Sequence, residues 1–191
     1  RGYRQENIDA CLAGLAVLPP PVPLDEYASA HGMQLSEIES FAADLRPLLE
    51  RTNQGLMFRD EPTETLVRNL YASSKDALRR VAENLSARQD TSVYAARALP
   101  SLLHKLDDGE SLFKLAFDDR IPAKITSTMG KRNIRYARIK AAVLHAAIKR
   151  DHNCLVRLLL ELSTIAAGDQ RGADYILDYP DLVVASNDVD S

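Results

Sequence analysis

A single interruption in the helical periodicity constrains the fold of this chain more than any other feature. Apolar residues recur at spacings of three and four along most of the 191 residues, a pattern that predicts amphipathic α-helices. Two short strand-like pieces, at about 48–51 and 56–59, break this pattern and surround the turn residues 52–55. This arrangement is typical of a β-hairpin. We therefore expect a mainly α-helical protein with one small hairpin.

Two helices are predicted before residue 33. The first covers residues 5–17 and ends at the proline-rich run 18–23, because proline cannot continue a helix and also restricts the residue before it. A short helix follows from Asp25 to about His31. It is predicted to stop at Gly32, a residue type common just after a helix C-terminus.

A third helix is predicted to lead into the hairpin and a fourth to leave it. Ser36 with Glu39 has the spacing of a capping box. Pro62 is favoured in the first turn of a helix, and acids such as Asp60 interact favourably with that end of the helix dipole. We therefore interpret the acids as capping groups and not as a catalytic pair. The apolar faces are predicted to be Ile38, Phe41, Ala42, Leu45 and Leu49 in the third helix, and Leu66, Leu70 and Tyr71 in the fourth.

The order of helix, short helix, capped helix, hairpin and helix predicts a winged-helix domain over residues 1–73. Its candidate recognition helix, residues 36–50, carries four acids and one arginine. DNA phosphates would repel that charge. We therefore do not expect this domain to bind DNA.

Residues 74–191 are predicted to form a second, wholly helical domain. A faint echo between residues 105–115 and 149–159, about 44 residues apart, favours helical hairpins stacked in a TPR-like or HEAT-like superhelix. A compact bundle is the alternative. A last helix over 170–178 is predicted to end at Pro180. The predicted apolar faces are Leu78, Val81, Ala82 and Leu85; Tyr94, Leu99, Leu102, Leu103 and Leu106; Leu112, Leu115 and Ala116; Ile134, Ala137, Ala141, Leu144 and Ile148; and Leu155, Leu158, Leu159, Leu162 and Ile165.

The sequence offers no convincing catalytic or metal-binding constellation. Residues 130–132 lack the first glycine and the hydroxyl of a phosphate-binding loop, and we interpret them as a helix start. The four histidines lack the spacing of a zinc site. Residues 151–154 place an acid, an imidazole and a thiol side by side, but helix neighbours do not face each other, so a turn is favoured over a nucleophile. Cys11 and Cys154 are interpreted as two separate thiols in a reducing compartment, with a disulfide as the alternative. We predict that this chain is not an enzyme and holds no metal.

The charge distribution is strongly uneven. Residues 120–157 contain ten Lys or Arg and a single acid, whereas residues 158–191 contain seven acids and one arginine. The basic segment therefore has three interpretations. It is a solvated face that pairs with those acids internally or between molecules, a docking site for an acidic protein surface, or a nucleic-acid contact whose affinity would fall with salt. The predicted interaction surface comprises Lys131, Arg132, Arg135, Arg138, Lys140, Lys149 and Arg150.

The hairpin and the helix after it resemble a known family. The stretch "GLMFRDEPTETLVRNL", residues 55–70, within a winged helix that helical hairpins follow, resembles the region after the ATPase core in STAND-type NTPases, the NACHT and AP-ATPase signalling proteins. In that family an aromatic-x-His-acid motif opens the helix, and its histidine touches the bound nucleotide. Phe58 and Glu61 fit the aromatic and acidic positions, with Leu66 as a later apolar anchor. The histidine position falls on Asp60, or on Arg59 if the register shifts by one residue.

The resemblance implies a regulatory part of a larger signalling ATPase. The chain itself would hold no cofactor, and ATP or ADP would bind only to the ATPase core, which is absent from these residues. Because an aspartate would repel phosphate, Asp60 is not expected to sense nucleotide directly. The implied partners are the ATPase core of its own parent chain and a protein with an acidic surface. We further expect a cytoplasmic location and no membrane span.

Overall fold

The computed structural model describes residues 5–71 and 75–178 and is mainly helical with one hairpin. The predicted strands are confirmed: Leu49–Arg51 (β1) and Leu56–Phe58 (β2) pair antiparallel, with Leu49 opposite Phe58. The helices are α1 (Gln5–Val17), α2 (Leu24–His31), α3 (Leu35–Asp44), α4 (Glu61–Tyr71), α5 (Lys75–Ser86), α6 (Val93–Lys105), α7 (Gly109–Ala116), α8 (Thr128–Lys149) and α9 (His152–Asp178).

The hairpin is tied to the segment that follows α1. The N–H of Val22 donates to the carbonyl of Leu56 at 2.8 Å, and the N–H of Leu56 donates back to the carbonyl of Val22 at 2.8 Å. Gly55 makes this approach possible, because it adopts a φ of 148° and a Cβ at that position would collide with the Val22 backbone. Val22, in the proline-rich run, therefore forms a one-residue β-bridge to the hairpin.

One hydrophobic cluster runs through most of the described chain, from Cys11 in α1 to Leu158 in α9. Helix α5 packs against α1, α2 and α6, and α8 packs against α6, α7 and α9. The predicted faces of α5 and α7 are buried, as are the predicted residues of α6 apart from the half-buried Tyr94. The boundary predicted at residue 73 falls on residues 72–74, which lie outside the described residues, so the division into two domains stays a prediction.

The cap and the length of α3 differ from the prediction. Its first turn is fixed by Glu37, whose carboxylate accepts a 2.8 Å hydrogen bond from the N–H of Gln34, and not by Ser36 with Glu39. The helix begins two residues early because Gly32, at φ 64°, has just ended α2. It ends at Asp44 and not near residue 50, since Pro47 cannot continue a helix and restricts Arg46 before it. Leu49 is nevertheless buried, as a strand residue.

Three predicted features of the later helices are wrong. In α4 the buried residue is Val67, whereas Leu66 and Leu70 are exposed. In α8 the buried face includes Ile134 but not Leu144 or Ile148. In α9 one helix runs from His152 to Asp178, so residues 170–178 belong to it and form no separate last helix. Pro180 lies outside the described residues.

Among the described residues, none of the helices is both long and apolar enough to cross a lipid bilayer. Cys11 is buried and Cys154 is half-buried, and both are free thiols, as the first of the two interpretations predicted.

Candidate functional site

The outer face of α8 carries four exposed large apolar side chains. Met129, Tyr136, Leu144 and Ile148 are 57%, 47%, 49% and 69% exposed. Their spacings of seven, eight and four residues place them along one side of the helix. We define the outer face of α8 as Met129, Asn133, Tyr136, Lys140, Leu144, Ala147 and Ile148, all of which are exposed.

The opposite side of α8 makes the tertiary contacts. Ile134, Ile139, Ala142, His145 and Ala146 are buried there, and the helix packs against α6, α7 and α9. The helix ends are well defined as well, because the Ser127 side chain accepts the N–H of Gly130 at 3.1 Å and Arg150 closes the helix at φ 57°. Both sides of one regular helix are therefore apolar, and only one side is covered by the described chain.

The residues of the predicted cationic surface differ in their exposure. Lys131, Lys140, Lys149 and Arg150 are exposed, and Arg132 is half-buried. Lys149 Nζ lies 2.6 Å from Asp107 Oδ2, an ion pair that also lowers the pKa of Asp107. The cations of this surface are therefore not all equally available to a partner.

Arg135 forms the internal pairing that was one interpretation of the charge pattern. Its guanidinium lies 3.0 Å from Glu161 on α9 and 3.2 Å from Asp119. Residue 161 belongs to the acidic C-terminal stretch, so this contact joins the basic and acidic segments within one chain.

Arg138 does not lie on the predicted surface and is fully buried, at 0% exposure. Its Nη1 donates to the carbonyl of Asp118 at 2.7 Å, while Nε and Nη2 have no hydrogen-bond partner among the described residues. Burial lowers the pKa of this guanidinium. The Asp118 carboxylate accepts from Arg120 and from Gln89 instead. The periodicity could not reveal this burial, because the position of Arg138 on the inner face depends on how α8 packs.

Asp60, at the position of the nucleotide-contacting histidine in the resembling family, is a helix cap. Its Oδ1 accepts the N–H of Thr63 at 2.8 Å, and this hydrogen bond lowers the pKa of the carboxyl. Asp60 is exposed, and Arg59 beside it donates from Nη2 to the carbonyl of Arg46 at 2.9 Å. The capping interpretation of Asp60 is confirmed.

A second exposed apolar edge lies on α4. Pro62, Leu66 and Leu70 follow one another at spacings of four, and the two leucines are 59% and 62% exposed. This edge was missed because both leucines were assigned to the core. The hydrophobic residue that α4 buries, Val67, lies one residue from Leu66, a turn of about 100° around the helix.

A cavity of about 380 Å³ between α7, α8 and α9 brings together groups that the sequence did not connect. Phe113, His145, Cys154 and Leu158 line it. The hydrogen bond with Asp151 raises the pKa of the Cys154 thiol, which keeps it protonated at neutral pH and unsuited to nucleophilic attack. Asp151 also accepts the N–H of Cys154 at 3.0 Å, which confirms the predicted turn between α8 and α9.

The part of the chain that the structure describes holds no group of three or more His, Cys, Asp or Glu residues suited to a metal ion. No protein-family model matches this chain, and no curated protein matches it.

Proposed function

We propose that this chain is a non-catalytic, regulatory protein-interaction part of a larger STAND-type signalling ATPase. The observation that carries the proposal is the outer face of α8, a line of exposed large apolar side chains on a helix that is otherwise well packed. Scattered exposed leucines are ordinary, but several large apolar side chains aligned on one side of a helix form the pattern by which helices bind partners.

The first 73 residues are proposed to form a winged helix that docks on the ATPase core of the parent chain. The order α1, α2, α3, β1, β2 and α4 supports this assignment, and the pairing of Val22 with Leu56 joins the hairpin to the helices. The exposed edge Pro62, Leu66 and Leu70 would face the core. Because Asp60 caps α4, nucleotide would be bound by the core alone.

The remaining helices are proposed to stack as TPR-like or HEAT-like hairpins that end in a partner-binding face. Successive packing of α5 on α6, α6 on α7, α7 on α8 and α8 on α9 supports this architecture. Two free thiols fit a cytoplasmic location.

Nucleic-acid binding by the basic segment is the alternative, and the described contacts favour it less. Arg138 is buried, Arg135 is held by two carboxylates, and Lys149 is held by Asp107. Fewer cations are therefore free to meet phosphates than the sequence suggested. If the alternative were correct, a duplex oligonucleotide would bind with an affinity that collapses with salt and is lost in Lys131→Glu plus Lys140→Glu.

Photo-crosslinking in the full-length protein tests the proposal. A photoreactive amino acid in place of Leu70 should crosslink to a phosphate-binding-loop domain of the same polypeptide, identified by mass spectrometry. The same group in place of Arg97, an exposed residue of α6, should give no such product. Crosslinks from position 70 that never reach an ATPase domain would contradict the proposal, as would ATP turnover by residues 1–191 alone.

A further inference from the structure

We infer that the outer face of α8 binds an amphipathic α-helix with acidic flanks, supplied by another protein. This inference rests on the proposed function, since it specifies the partner of the same surface. It is argued from the shape of the face, from its charge, and from its poor fit to a second copy of the chain.

The shape of the face suits a helix. Its apolar side chains extend from Met129 to Ile148 along a helix of 22 residues, about 33 Å at 1.5 Å per residue. Small residues also lie on the face or at its edge: Ala147 is exposed, and Ala137 and Ala141 are half-buried. Small side chains let a second helix approach closely, and large neighbours at spacings of four and seven provide its anchor points.

The charge of the face favours an acidic partner. Helix α8 carries no acid, and no Asp or Glu occurs between Asp119 and Asp151. Lys131 lies about 200° around the helix from Met129, on the side of α9, and is not part of the face. Lys140 is exposed among the apolar residues, near the middle of the face, and Arg150 is exposed at the C-terminal end of the helix. A partner helix with glutamates or aspartates beside its apolar stripe would pair with these cations, whereas a basic one would be repelled.

A second copy of this chain fits the face poorly. An antiparallel, two-fold pairing of α8 with α8 would put its axis near residues 138 and 139, half-way between Met129 and Ile148. Lys140 of one copy would then lie beside Lys140 of the other, with no acid of α8 to compensate the repulsion. The outer face of α8 is therefore poorly matched to itself, and we assign it a different chain as its partner.

Two synthetic peptides of about six helical turns test this inference. Both carry the same leucine stripe, and one has glutamate and the other lysine on its flanks. In fluorescence anisotropy at physiological salt, the glutamate peptide should bind the chain at least about tenfold more tightly than the lysine peptide. Lys140→Glu should narrow or reverse this preference.

Matched serine substitutions locate the binding. Leu144→Ser should weaken binding of the glutamate peptide by about tenfold. Leu35→Ser should leave the affinity unchanged, because Leu35 is similarly exposed, at 46%, but belongs to α3. Circular dichroism establishes that each variant is folded.

Several results would overturn the inference. These are equal affinity for the two peptides, equal losses in Leu144→Ser and Leu35→Ser, sedimentation of the chain as a dimer that Leu144→Ser dissociates, or duplex DNA binding that Lys140→Glu abolishes. A failure of the glutamate peptide to bind would also overturn the inference. It would not overturn the proposed function, which is tested independently by crosslinking from position 70 to an ATPase domain.

Discussion

Helices α1 and α8 use apolar residues in opposite ways. From Cys11 to Leu18, eight consecutive residues spanning α1 and its C-terminal end are buried on every side. In α8 an arginine, Arg138, is fully buried, while Leu144 and Ile148 are exposed. Burial in this protein therefore follows from the neighbours of a helix more than from its own composition.

The surroundings of the two helices explain the difference. Helix α1 is enclosed by α4 and α5, and cations satisfy its last carbonyls: Lys105 Nζ donates to Val17 at 2.8 Å and Arg68 Nε to Ala16 at 3.3 Å. Among the described residues, helix α8 packs against α6, α7 and α9 through its inner side. Helix α1 is therefore a core helix, whereas the outer face of α8, which the described residues leave uncovered, is available to the partner proposed above.

The largest expected effect is at Leu15 in α1, which is 4% exposed. Leu15→Ala should lower the free energy of unfolding by roughly 2–5 kcal/mol, since it removes buried methyl groups and leaves a cavity. The same substitution at the half-exposed Leu144 should cost less than about 0.5 kcal/mol. Urea denaturation of the two variants measures the contrast, and similar losses would show that α8 is covered as completely as α1.

The next effect is a pH dependence at His31, which packs against α1. Its Cε1 lies 2.7 Å from the place that a Cβ on Gly14 would occupy, and burial lowers its pKa to about 4. Below pH 6.5 the unfolded chain therefore gains a proton that the folded chain resists, so stability is lost as the pH falls towards 4. The resulting decrease in the free energy of unfolding should approach about 3 kcal/mol.

Comparison of variants isolates the contribution of His31. Between pH 7 and pH 4, His31→Gln should lose about 3 kcal/mol less stability than the unmodified protein. His152→Gln, at an exposed position at the start of α9, should follow the unmodified protein. An identical pH profile for His31→Gln would mean that His31 is solvated and that the packing against α1 is looser than described.

A smaller effect is expected at Arg138. Arg138→Met keeps most of the buried volume. It removes two nitrogens without hydrogen-bond partners, Nε and Nη2, together with the hydrogen bond from Nη1 to Asp118, so it should change the stability by less than about 1 kcal/mol. Arg138→Ala should cost about 2 kcal/mol more than that, because it opens a cavity. Thermal unfolding of both variants provides the measurement. A loss in Arg138→Met as large as in Arg138→Ala would show that the charge itself holds α8 in place.

The smallest effect is expected at Asp60. Asp60→Ala removes the cap of α4 and should lower the unfolding midpoint slightly. Asp60→Asn should keep the midpoint of the unmodified protein, because the Asp and Asn side chains accept the N–H of Thr63 equally well. If Asp60→Asn were as unstable as Asp60→Ala, the negative charge and not the hydrogen bond would be the stabilising element.

Local signals predicted most of the secondary structure. The proline-rich run ended α1, Gly32 ended α2, and the change of period located β1 and β2 to within a residue. These signals succeed because a missing N–H, a positive φ or an alternating pattern acts on the chain locally. The prediction for the cap of α3 was wrong because Gln34 with Glu37 and Ser36 with Glu39 have the same spacing. The turn at Gly32, which ends α2, places the start of α3 at the first pair.

The sequence by itself determined the mainly helical class, the hairpin, the cap at Asp60 and the separation of charge along the chain. Only the tertiary structure decided which side of α8 is covered, because both sides of this helix carry apolar residues at helical spacing. Packing against α6, α7 and α9 selected the side that contains Arg138, His145 and four alanine or isoleucine residues, and left Leu144 and Ile148 in solvent. The candidate recognition surface was thus hidden in the sequence, since amphipathic periodicity identifies an apolar stripe but not the neighbour that will bury it.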